Sequence, residues 1–340
     1  MDLSTADFDY HLPAELIAQD PSPRRDHSRL MVVDRRGGRI THSRFSEIGA
    51  FLTRGDALVA NRSKVLPARL RASRATGGSV ELLLIRQVAP LAWAALIRPS
   101  RRLKPGETLG LDDGSIEATV EKSGDGQWLV RFEGTGDVAS RLRKIGRLPL
   151  PPYIHRSEAP DERYQTVYAD RDGSIAAPTA GLHFTPELLS ELDRGGVKTH
   201  FLTLHVGIGT FLPVKSERVA DHRMHSEWGE MSAELAADLN QVRGSGHRLV
   251  AIGTTTVRVL ESAAVDGELR GFEGETDRFI VPGYQFQAVD ALITNFHLPR
   301  STLLMLVSAL AGTDLVKRAY QEAIRQRYRF YSFGDAMLIL

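Results

Sequence analysis

Residues 177–185 read APTAGLHFT, a run of small residues with one histidine beside an aromatic ring. The run passes into Thr185, Pro186 and Glu187, which is typical of a helix start, with threonine as N-cap and proline in the first turn. Small residues let a ligand approach the backbone, and a helix N-terminus attracts polar or anionic groups. The segment therefore predicts a ligand-binding loop that leads into a helix. The alternative is a tight, buried connection.

Two later segments have the same composition, TLHVGIGTF (Thr203–Phe211) and TNFHLPRST (Thr294–Thr302). Each of the three segments carries one histidine, namely His183, His205 or His297. Histidine changes its charge near neutral pH, so these side chains are candidate proton carriers. The alternative is that they only hydrogen-bond the backbone of tight loops.

The composition bounds the class of protein. A chain of 340 residues predicts two domains, and 42% hydrophobic with 25% charged residues is typical of a globular protein in water. The net charge is only +1, so nucleic-acid binding would require a local basic patch. The absence of cysteine excludes disulfides, thiol nucleophiles and iron–sulfur clusters. With no signal-peptide pattern, and with Leu303–Ala311 as the longest apolar run, we expect no membrane association and a cytoplasmic location.

Short apolar or alternating runs separated by glycine-rich turns fill residues 67–148. Strands of this length and spacing predict a small antiparallel β-barrel or sandwich. The predicted strands are Val80–Ile85, Trp93–Ile97, Ser115–Val120 and Trp128–Phe132.

The chain beyond residue 149 alternates strands with helices, which predicts an α/β fold with a mostly parallel sheet. The predicted strands Val197–Val206, Arg248–Ile252 and Val289–Ile293 each run into a polar loop. Ligands bind such sheets at the carboxyl ends of the strands. Because strand candidates also precede residue 67, we expect a larger discontinuous domain, 1–66 and 149–340, with the β-barrel domain inserted at 67–148.

Residues 253–262, GTTTVRVLES, follow a predicted strand and open a helix. Free N–H groups at such a helix start suit a ribose, carboxylate or phosphate. Arg258 and Glu261 lie three apart on the helix, so a structural ion pair is the alternative. Threonines and glycines of these loops are predicted to bind the substrate. They are Thr179, Gly181, Gly207, Gly209, Thr210, Thr254 and Thr255.

Two clusters of charged or ionisable residues lie elsewhere. Residues 222–227, HRMHSE, could hold a metal, but the HExxH spacing is absent and we predict no metal site. Residues 98–104, RPSRRLK, form a compact basic loop that could bind phosphates, or could simply be a solvated hairpin loop. The predicted RNA-binding residues are Arg98, Arg101, Arg102 and Lys104.

Eight longer motifs occur in order over nearly the whole chain. They are FDYHLPAELIAQDPSPRRDHSRL (Phe8–Leu30), GDALVANRSKVLPARL (Gly55–Leu70), LPLPPYIHR (Leu148–Arg156), YQTVYA (Tyr164–Ala169), APTAGLHFT, TLHVGIGTFLPV (Thr203–Val214), TNFHLPRSTLLMLVSAL (Thr294–Leu310) and YRFYSFGDAM (Tyr328–Met337). Together they resemble the S-adenosylmethionine:tRNA ribosyltransferase-isomerases of queuosine biosynthesis. Small departures from the usual family pattern occur at Arg62, Ser63 and Tyr331.

The resemblance implies transfer of the ribosyl part of S-adenosylmethionine to 7-aminomethyl-7-deazaguanine at the tRNA wobble position. The ribosyl unit is isomerised, which gives epoxyqueuosine, and adenine and methionine leave. S-adenosylmethionine is consumed as a substrate, so no cofactor is expected. The partners are S-adenosylmethionine and tRNA, and we expect a monomer. The resemblance also implies a β-barrel domain inserted in a larger α/β domain.

The reaction sets requirements for the site. The sulfonium acidifies the C5′ protons, so a base must remove one of them. The candidates, in order of preference, are His183, His297 and His205, followed by Asp290 or Glu261. Orienting roles toward the ribose or methionine part are expected for Asp290, Asn295, Arg258 and Glu261.

Two other functions stay open at this point. One is a metal-dependent hydrolase that uses His222, His225 and Glu227. The other is a non-catalytic RNA-binding module carried by the basic loop. Tolerance of a chelator would exclude the hydrolase, and tRNA-dependent release of adenine would exclude the binding module.

Overall fold

The structure, a computed structural model, describes residues 3–124, 126–207, 209, 214 and 216–340. Contacts between residues divide the chain into two compact units. The larger unit contains Met1–Lys64, Pro151–Arg171 and Ala177–Leu340, and the barrel unit contains Val65–Leu150 and Asp172–Ala176. The predicted domains, 1–66 with 149–340 and the inserted 67–148, are meant as independently folding pieces. Contacts between residues do not define such pieces, so these boundaries stay a prediction.

The described residues form strands and helices throughout both units. The first ten strands are β1 (Arg29–Val33), β2 (Ile40–Arg44), β3 (Ala57–Asn61), β4 (Ser63–Val65), β5 (Arg69–Arg74), β6 (Ser79–Ala89), β7 (Ala92–Arg98), β8 (Glu107–Leu111), β9 (Ile116–Ser123) and β10 (Gln127–Gly134). The others are β11 (Arg171–Ser174), β12 (Lys198–Leu204), β13 (Glu227–Met231), β14 (Leu249–Ile252), β15 (Ala264–Val265), β16 (Glu268–Leu269), β17 (Phe272–Thr276), β18 (Ala291–Asn295) and β19 (Ala336–Ile339). The helices are α1 (Val138–Ile145), α2 (Pro186–Arg194), α3 (Ala233–Gly244), α4 (Thr254–Ala263), α5 (Thr302–Ala311) and α6 (Thr313–Arg325). None of these helices is long and apolar enough to cross a membrane.

A nine-stranded mixed sheet forms the core of the larger unit, in the order β17-β13-β12-β3-β14-β18-β19-β1-β2. The central strands β12, β3, β14 and β18 are parallel to one another, whereas β19 is antiparallel to β18. Every residue of β3, β14 and β18 is buried, as expected for strands covered on both faces. The predicted α/β class is confirmed, and the parallel pairing lies at the centre of the sheet.

The barrel unit contains a closed six-stranded barrel in the order β10-β7-β6-β5-β8-β9, with antiparallel pairing throughout. Side chains of β9 and β10 alternate between the interior and the surface. Ile116, Ala118 and Val120 are buried on β9, and Trp128 and Val130 are buried on β10. The predicted antiparallel β-barrel is therefore confirmed.

Local sequence explains the helix starts. Thr185 accepts a hydrogen bond from the Leu188 N–H (3.1 Å) and caps α2, whose first residue is Pro186. The predicted helix start at this threonine is confirmed. The spacing of Phe45, Ile48 and Leu52 predicts a helix over Phe45–Leu52, and the structure has a 3-10 helix at Phe45–Phe51. Only Phe45 and Ile48 of this segment are buried, so the short turn covers the sheet with two side chains.

Candidate active site

The carboxyl ends of the central strands β12, β3, β14 and β18 lie at one edge of the large sheet, because these strands are parallel. The antiparallel strand β19 begins at the same edge, where Asn295 pairs with Ala336. The loops that follow β12, β14 and β18 are three of the predicted polar segments. The fourth, APTAGLHFT, forms a 3-10 turn at Thr179–His183 that packs on β18.

Asn295, the last residue of β18, is the centre of a buried hydrogen-bond network. Thr179 Oγ1 donates to Asn295 Oδ1 (2.8 Å), while Asn295 Nδ2 donates to the carbonyl of Tyr331 (3.3 Å) and to His183 Nε2 (3.2 Å). The carbonyl accepts only, so it fixes which end of the Asn295 amide carries the protons. His183 Nε2 must then be unprotonated, and His183 Nδ1 donates to Ser28 Oγ (2.7 Å).

His183 is neutral in this environment. Its side chain is 4% exposed and stacks on the ring of Phe45 with centroids 5.0 Å apart. Burial, together with the smaller effect of the positive charges of Arg329 and Arg25, lowers the pKa of His183 to about 3. Both ring nitrogens are engaged in hydrogen bonds, one with Asn295 and one with Ser28.

His297 is held just as firmly. Its Nε2 lies 2.7 Å from Thr294 Oγ1, and its backbone N–H donates to Tyr320 Oη (2.9 Å). The His297 carbonyl accepts a hydrogen bond from Tyr10 Oη. Burial lowers the pKa of His297 to about 3. The imidazole therefore orders the turn after β18 as a neutral group.

His205 is the most accessible of the three histidines. It directly follows β12, and its backbone N–H donates to the carbonyl of Trp228 (2.9 Å). The imidazole stacks on the Trp228 indole with centroids 5.2 Å apart and planes 17° apart. Its burial is intermediate, whereas His183 and His297 are buried. Thr210, a predicted ligand residue of the same loop, lies outside the described residues.

Asn61, the last residue of β3, belongs to this edge and is not among the predicted site residues. Its Oδ1 accepts from the Leu204 N–H (3.1 Å), and its Nδ2 donates to the Leu204 carbonyl (2.9 Å) and to Thr255 Oγ1 (3.3 Å). Asn61 thus joins the end of β12 to the start of α4. A polar residue at the end of the otherwise apolar run ALVAN was the signal available in the sequence.

Thr254 and Thr255 form the first turn of α4 and are buried, as Asn61 is. Gly253, with φ of 88°, connects β14 to this helix in a conformation that favours glycine. The strand–loop–helix geometry expected for GTTTVR is present. The N-terminus of α4 therefore lies at the same edge as Asn295.

Arg258 and Glu227 form a buried ion pair, each with 4% of its side chain exposed. Arg258 Nη2 also donates to the Thr276 carbonyl (2.7 Å), and Glu227 Oε1 accepts from the Gly207 N–H (2.6 Å). The pair therefore fixes the loop after His205 to α4 and β17. Arg258 pairs with this distant glutamate, not with Glu261.

Glu261 is nearly fully buried and accepts several hydrogen bonds. Its oxygens accept from Tyr284 Oη and from the backbone N–H groups of Gln287, Ala288 and Val289, all at 3.0 Å. These contacts anchor the segment that leads into β18. They occupy both oxygens, which gives Glu261 an architectural role.

Two predicted glycines are required by close packing. A Cβ at Gly181 would lie 2.1 Å from Tyr168 Oη, and a Cβ at Gly209 would lie 2.6 Å from an atom of the His225 ring. Both distances are below any normal contact, so these positions admit no side chain without a shift of the neighbours. Their small size serves the packing of the loops.

Asp290 lies at the opposite edge of the sheet, immediately before β18. Its Oδ2 accepts from the Leu249 N–H (2.8 Å), and its carbonyl accepts from Arg35. Five residues of extended chain separate it from Asn295, which is about 16 Å. Asp290 is therefore not brought together with the three histidines.

The basic loop of the barrel unit connects β7 to β8, and Arg98, Arg101, Arg102 and Lys104 are all exposed. Behind them, Arg74 pairs with Glu107 (2.6 Å), and the Arg102 carbonyl accepts from Arg74 Nη2 (2.8 Å). The loop backbone is thus anchored while its cationic side chains point to solvent. None of the four forms an ion pair with a carboxylate of the described residues.

The cluster at residues 222–227 does not assemble a metal site. Glu227 is committed to Arg258, and His222 packs edge-on against Phe279 with centroids 5.3 Å apart. Over the part of the chain that the structure describes, no group of three His, Asp or Glu side chains is arranged to hold a metal ion.

Comparison with known proteins shows the family to which the chain belongs. Residues 5–339 match the family model described as queuosine biosynthesis protein. The chain is 55% identical over 98% of its length to an S-adenosylmethionine:tRNA ribosyltransferase-isomerase of Symbiobacterium thermophilum, of which it covers 99%. It is 52% identical over 99% of its length to the enzyme of that name from Thermotoga petrophila, of which it covers 100%.

A crystal structure of an S-adenosylmethionine tRNA ribosyltransferase from Thermotoga maritima is also similar. The two chains share 42% identity with a TM-score of 0.58, over 98% of this chain and 100% of that one. The similarity therefore extends across both units and is not limited to the large sheet.

Proposed function

Because the chain belongs to the family of queuosine biosynthesis proteins, we propose that it is an S-adenosylmethionine:tRNA ribosyltransferase-isomerase. In the proposed reaction, it transfers the ribosyl part of S-adenosylmethionine to 7-aminomethyl-7-deazaguanine at the tRNA wobble position and isomerises it. The products are epoxyqueuosine in tRNA, adenine and methionine. The protein is proposed to act as a monomer in the cytoplasm and to need no cofactor.

Membership of the family carries the reaction class, and the convergence of polar groups at one sheet edge supports the location of the chemistry. Asn295 and Thr179, the start of α4 and His205 all lie at that edge. A polar substrate can meet backbone N–H groups and hydroxyls there without crossing the apolar core. We place the ribose of S-adenosylmethionine at this edge, with Thr179, Thr254 and Thr255 among its contacts.

The proposed base for the C5′ proton is His205. A general base works best when its pKa is near the working pH. Burial lowers the pKa of both His183 and His297 to about 3, and each pKa unit lost weakens proton affinity by about 1.4 kcal/mol. His183 and His297 therefore act by holding Asn295 and the turn after β18 in place. His205 is partly exposed, and its stacking on Trp228 fixes the plane of the imidazole ring.

The aminomethyl group of the RNA must be a free amine when it attacks C1′, and adenine must leave with a proton. Both steps require that the substrates be oriented before any proton moves. Arg258 and Glu227 contribute by fixing Gly207 in the loop beside His205. Glu261 contributes by anchoring the segment before β18. We assign Asp290 no part in the reaction.

The tRNA is proposed to contact the basic loop of the barrel unit. Arginine and lysine side chains that have no carboxylate partner are free to neutralise phosphates. The low net charge of the chain makes a local patch of this kind necessary.

The proposal is tested by incubating the protein with S-adenosylmethionine and tRNA that bears the aminomethyl-deazaguanine. Adenine and methionine should be released in equal amounts, and only when this tRNA is present. Unmodified tRNA is the matched control. Formation of S-adenosylhomocysteine with methylated RNA would instead identify a methyltransferase and contradict the proposal.

A further inference from the structure

A narrow cleft lies over His183 in the larger unit and is bordered by two arginines. Its volume is about 20 Å³, and its lining includes Arg25, Arg163, Ser22, Ser28, Ser332 and Gly334. A space of this size holds one or two atoms of the size of a water oxygen. A base or a sugar does not fit, but one or two oxygens of an anionic group do.

The two arginines have no carboxylate partner among the described residues. Arg25 donates to the carbonyls of Leu182 (3.1 Å) and Glu162 (2.9 Å). Arg163 donates to the carbonyls of Ser22 (2.6 Å) and Pro23 (3.2 Å). Backbone carbonyls orient the guanidinium groups but do not neutralise them. The two positive charges are near enough that Arg163 contributes to lowering the pKa of Arg25.

Arg163 also has a buried donor that nothing satisfies. Its Nε lies out of contact with solvent and has no hydrogen-bond partner in the part of the chain that the structure describes. An unsatisfied buried donor is destabilising, and more so when the group is charged. Like charges held together without a counter-ion add to this cost. A negatively charged acceptor bound by the two guanidinium groups would offset their mutual repulsion.

We propose that this cleft is an oxyanion subsite, in which Arg25 and Arg163 bind a carboxylate or phosphate oxygen of a substrate. Each guanidinium has five N–H donors and uses two in the contacts above, so donors remain for a charge-assisted pair. Ser22 and Ser332 also line the cleft, and Ser332 Oγ lies 2.6 Å from Tyr153 Oη. His183 forms part of the lining, so the bound anion lies next to the Asn295 network.

The source of the anion rests on the proposed function. S-adenosylmethionine would supply the carboxylate of its methionine part, and tRNA would supply a phosphodiester. The chemistry recognised in the cleft is the same in both cases. Binding of the anion itself is independent of catalysis and can be tested without it.

Inorganic sulfate is the probe for the cleft. Sulfate should raise the melting temperature of the wild-type protein beyond the effect of potassium chloride at equal ionic strength. Arg25→Gln and Arg163→Gln should weaken sulfate binding at least about tenfold, since each removes a charge-assisted contact. Arg156→Gln, which changes an exposed arginine of the same region, is the matched control and should behave as wild type.

Arg163→Lys keeps the charge and serves if Arg163→Gln fails to fold. It should retain part of the sulfate effect, because the ammonium group still attracts the anion. If Arg163→Gln and Arg25→Gln both bind sulfate as tightly as wild type, the cleft is not an oxyanion subsite.

Two binding measurements then identify the source. If the anion is the methionine carboxylate, Arg163→Gln should raise the Kd of S-adenosylmethionine about tenfold and leave that of its decarboxylated analogue unchanged. If it is a phosphodiester, the Kd of S-adenosylmethionine should stay constant. The logarithmic salt slope of tRNA binding should then fall by about one. If Arg163→Gln loses sulfate binding but changes neither the Kd of S-adenosylmethionine nor the salt slope of tRNA binding, the link to the substrates is overturned. Failure of turnover in wild type would instead count against the proposed function.

Discussion

Asn295 fixes the positions of protons in the candidate active site, because its amide makes three hydrogen bonds whose directions are forced. The Tyr331 carbonyl sets the orientation of the amide, the amide sets the tautomer of His183, and His183 in turn donates to Ser28. Tyr331 has a positive φ of 70°, a conformation that costs a non-glycine residue free energy and is often found at functional sites. The amide of Asn295 is therefore oriented by the carbonyl of a residue in a strained backbone conformation.

A substitution series at the three histidines separates the base from the positioning groups. His205→Gln should lower adenine release by roughly 10²–10⁴-fold, the usual effect of losing a general base, with little change in melting temperature. His183→Gln and His297→Gln should destabilise the fold by about 1–3 kcal/mol, because each leaves buried partners unsatisfied. Turnover and thermal unfolding are measured on the same preparations.

His155→Gln is the matched control for this series, since His155 is exposed and only its backbone N–H is hydrogen-bonded. It should match wild type in both assays. Turnover of His205→Gln within tenfold of wild type would show that the base is another group.

The buried histidines also predict how stability depends on pH. Their folded-state pKa of about 3 lies below the ordinary value of 6.5, so the unfolded chain binds more protons between these limits. Stability should therefore be complete above about pH 6.5 and fall as the pH is lowered, by up to about 1.4 kcal/mol per pH unit for each histidine.

Urea unfolding of wild type and His297→Gln at about pH 7 and pH 5 measures this effect. Removing the one histidine should reduce the loss of stability between the two conditions by about 2 kcal/mol. An identical loss in both proteins would mean that His297 is not neutral and buried in the native state.

At the scale of the elements, the loops at the sheet edge owe their position to the parallel strands β12, β3, β14 and β18. Continuous apolar runs such as LVAI and ALIT identify β14 and β18 in the sequence, because strands buried on both faces need no polar side. Because these strands are parallel, the loops that follow them lie at the same edge of the sheet. The helix start at Thr185 and the threonines of α4 could be predicted for the same local reasons.

Long-range pairings could not be predicted in this way. β19 lies between β18 and β1, which joins the last strand of the chain to the first, and no local periodicity specifies that order. The partner of Arg258 was also hidden. An ion pair with Glu261 is a reasonable expectation from i,i+3 spacing, but burial favours Glu227, which is far away in sequence and also holds Gly207. Protonation in the Asn295 network likewise depends on three separate segments.

The loop between β7 and β8 gives a prediction for RNA binding. Replacing Arg101, Arg102 and Lys104 by Ala should weaken tRNA binding and lower its logarithmic salt slope by about one per lost phosphate contact. Affinity for S-adenosylmethionine should hardly change. The measurement is tRNA binding over a range of salt concentrations, with Lys122→Ala, an exposed cation of β9, as the matched control.

The barrel should stay folded in the triple variant, because Arg74 and Glu107, which anchor the loop, are retained. An unaltered salt slope in a folded variant would show that phosphates are bound elsewhere.

At the scale of the whole molecule, the chain combines a mixed sheet, with polar loops at one edge, and a closed barrel that carries an exposed cationic loop. The family match covers residues 5–339 and therefore spans both units. This composition suits an enzyme with one small and one large substrate. The sheet edge presents polar groups for the proposed small substrate, and the basic loop presents positive charge for the proposed nucleic-acid substrate.

In the proposed reaction, the ribose of S-adenosylmethionine becomes part of the wobble nucleoside. This transfer is tested most directly with S-adenosylmethionine that carries a heavy carbon isotope at every ribose position, incubated with the protein and the aminomethyl-deazaguanine tRNA. Mass spectrometry of the digested tRNA should show the complete set of ribose labels in epoxyqueuosine, with unlabelled adenine and methionine in solution. An unlabelled wobble nucleoside, or ribose label that stays with adenine, would contradict the account.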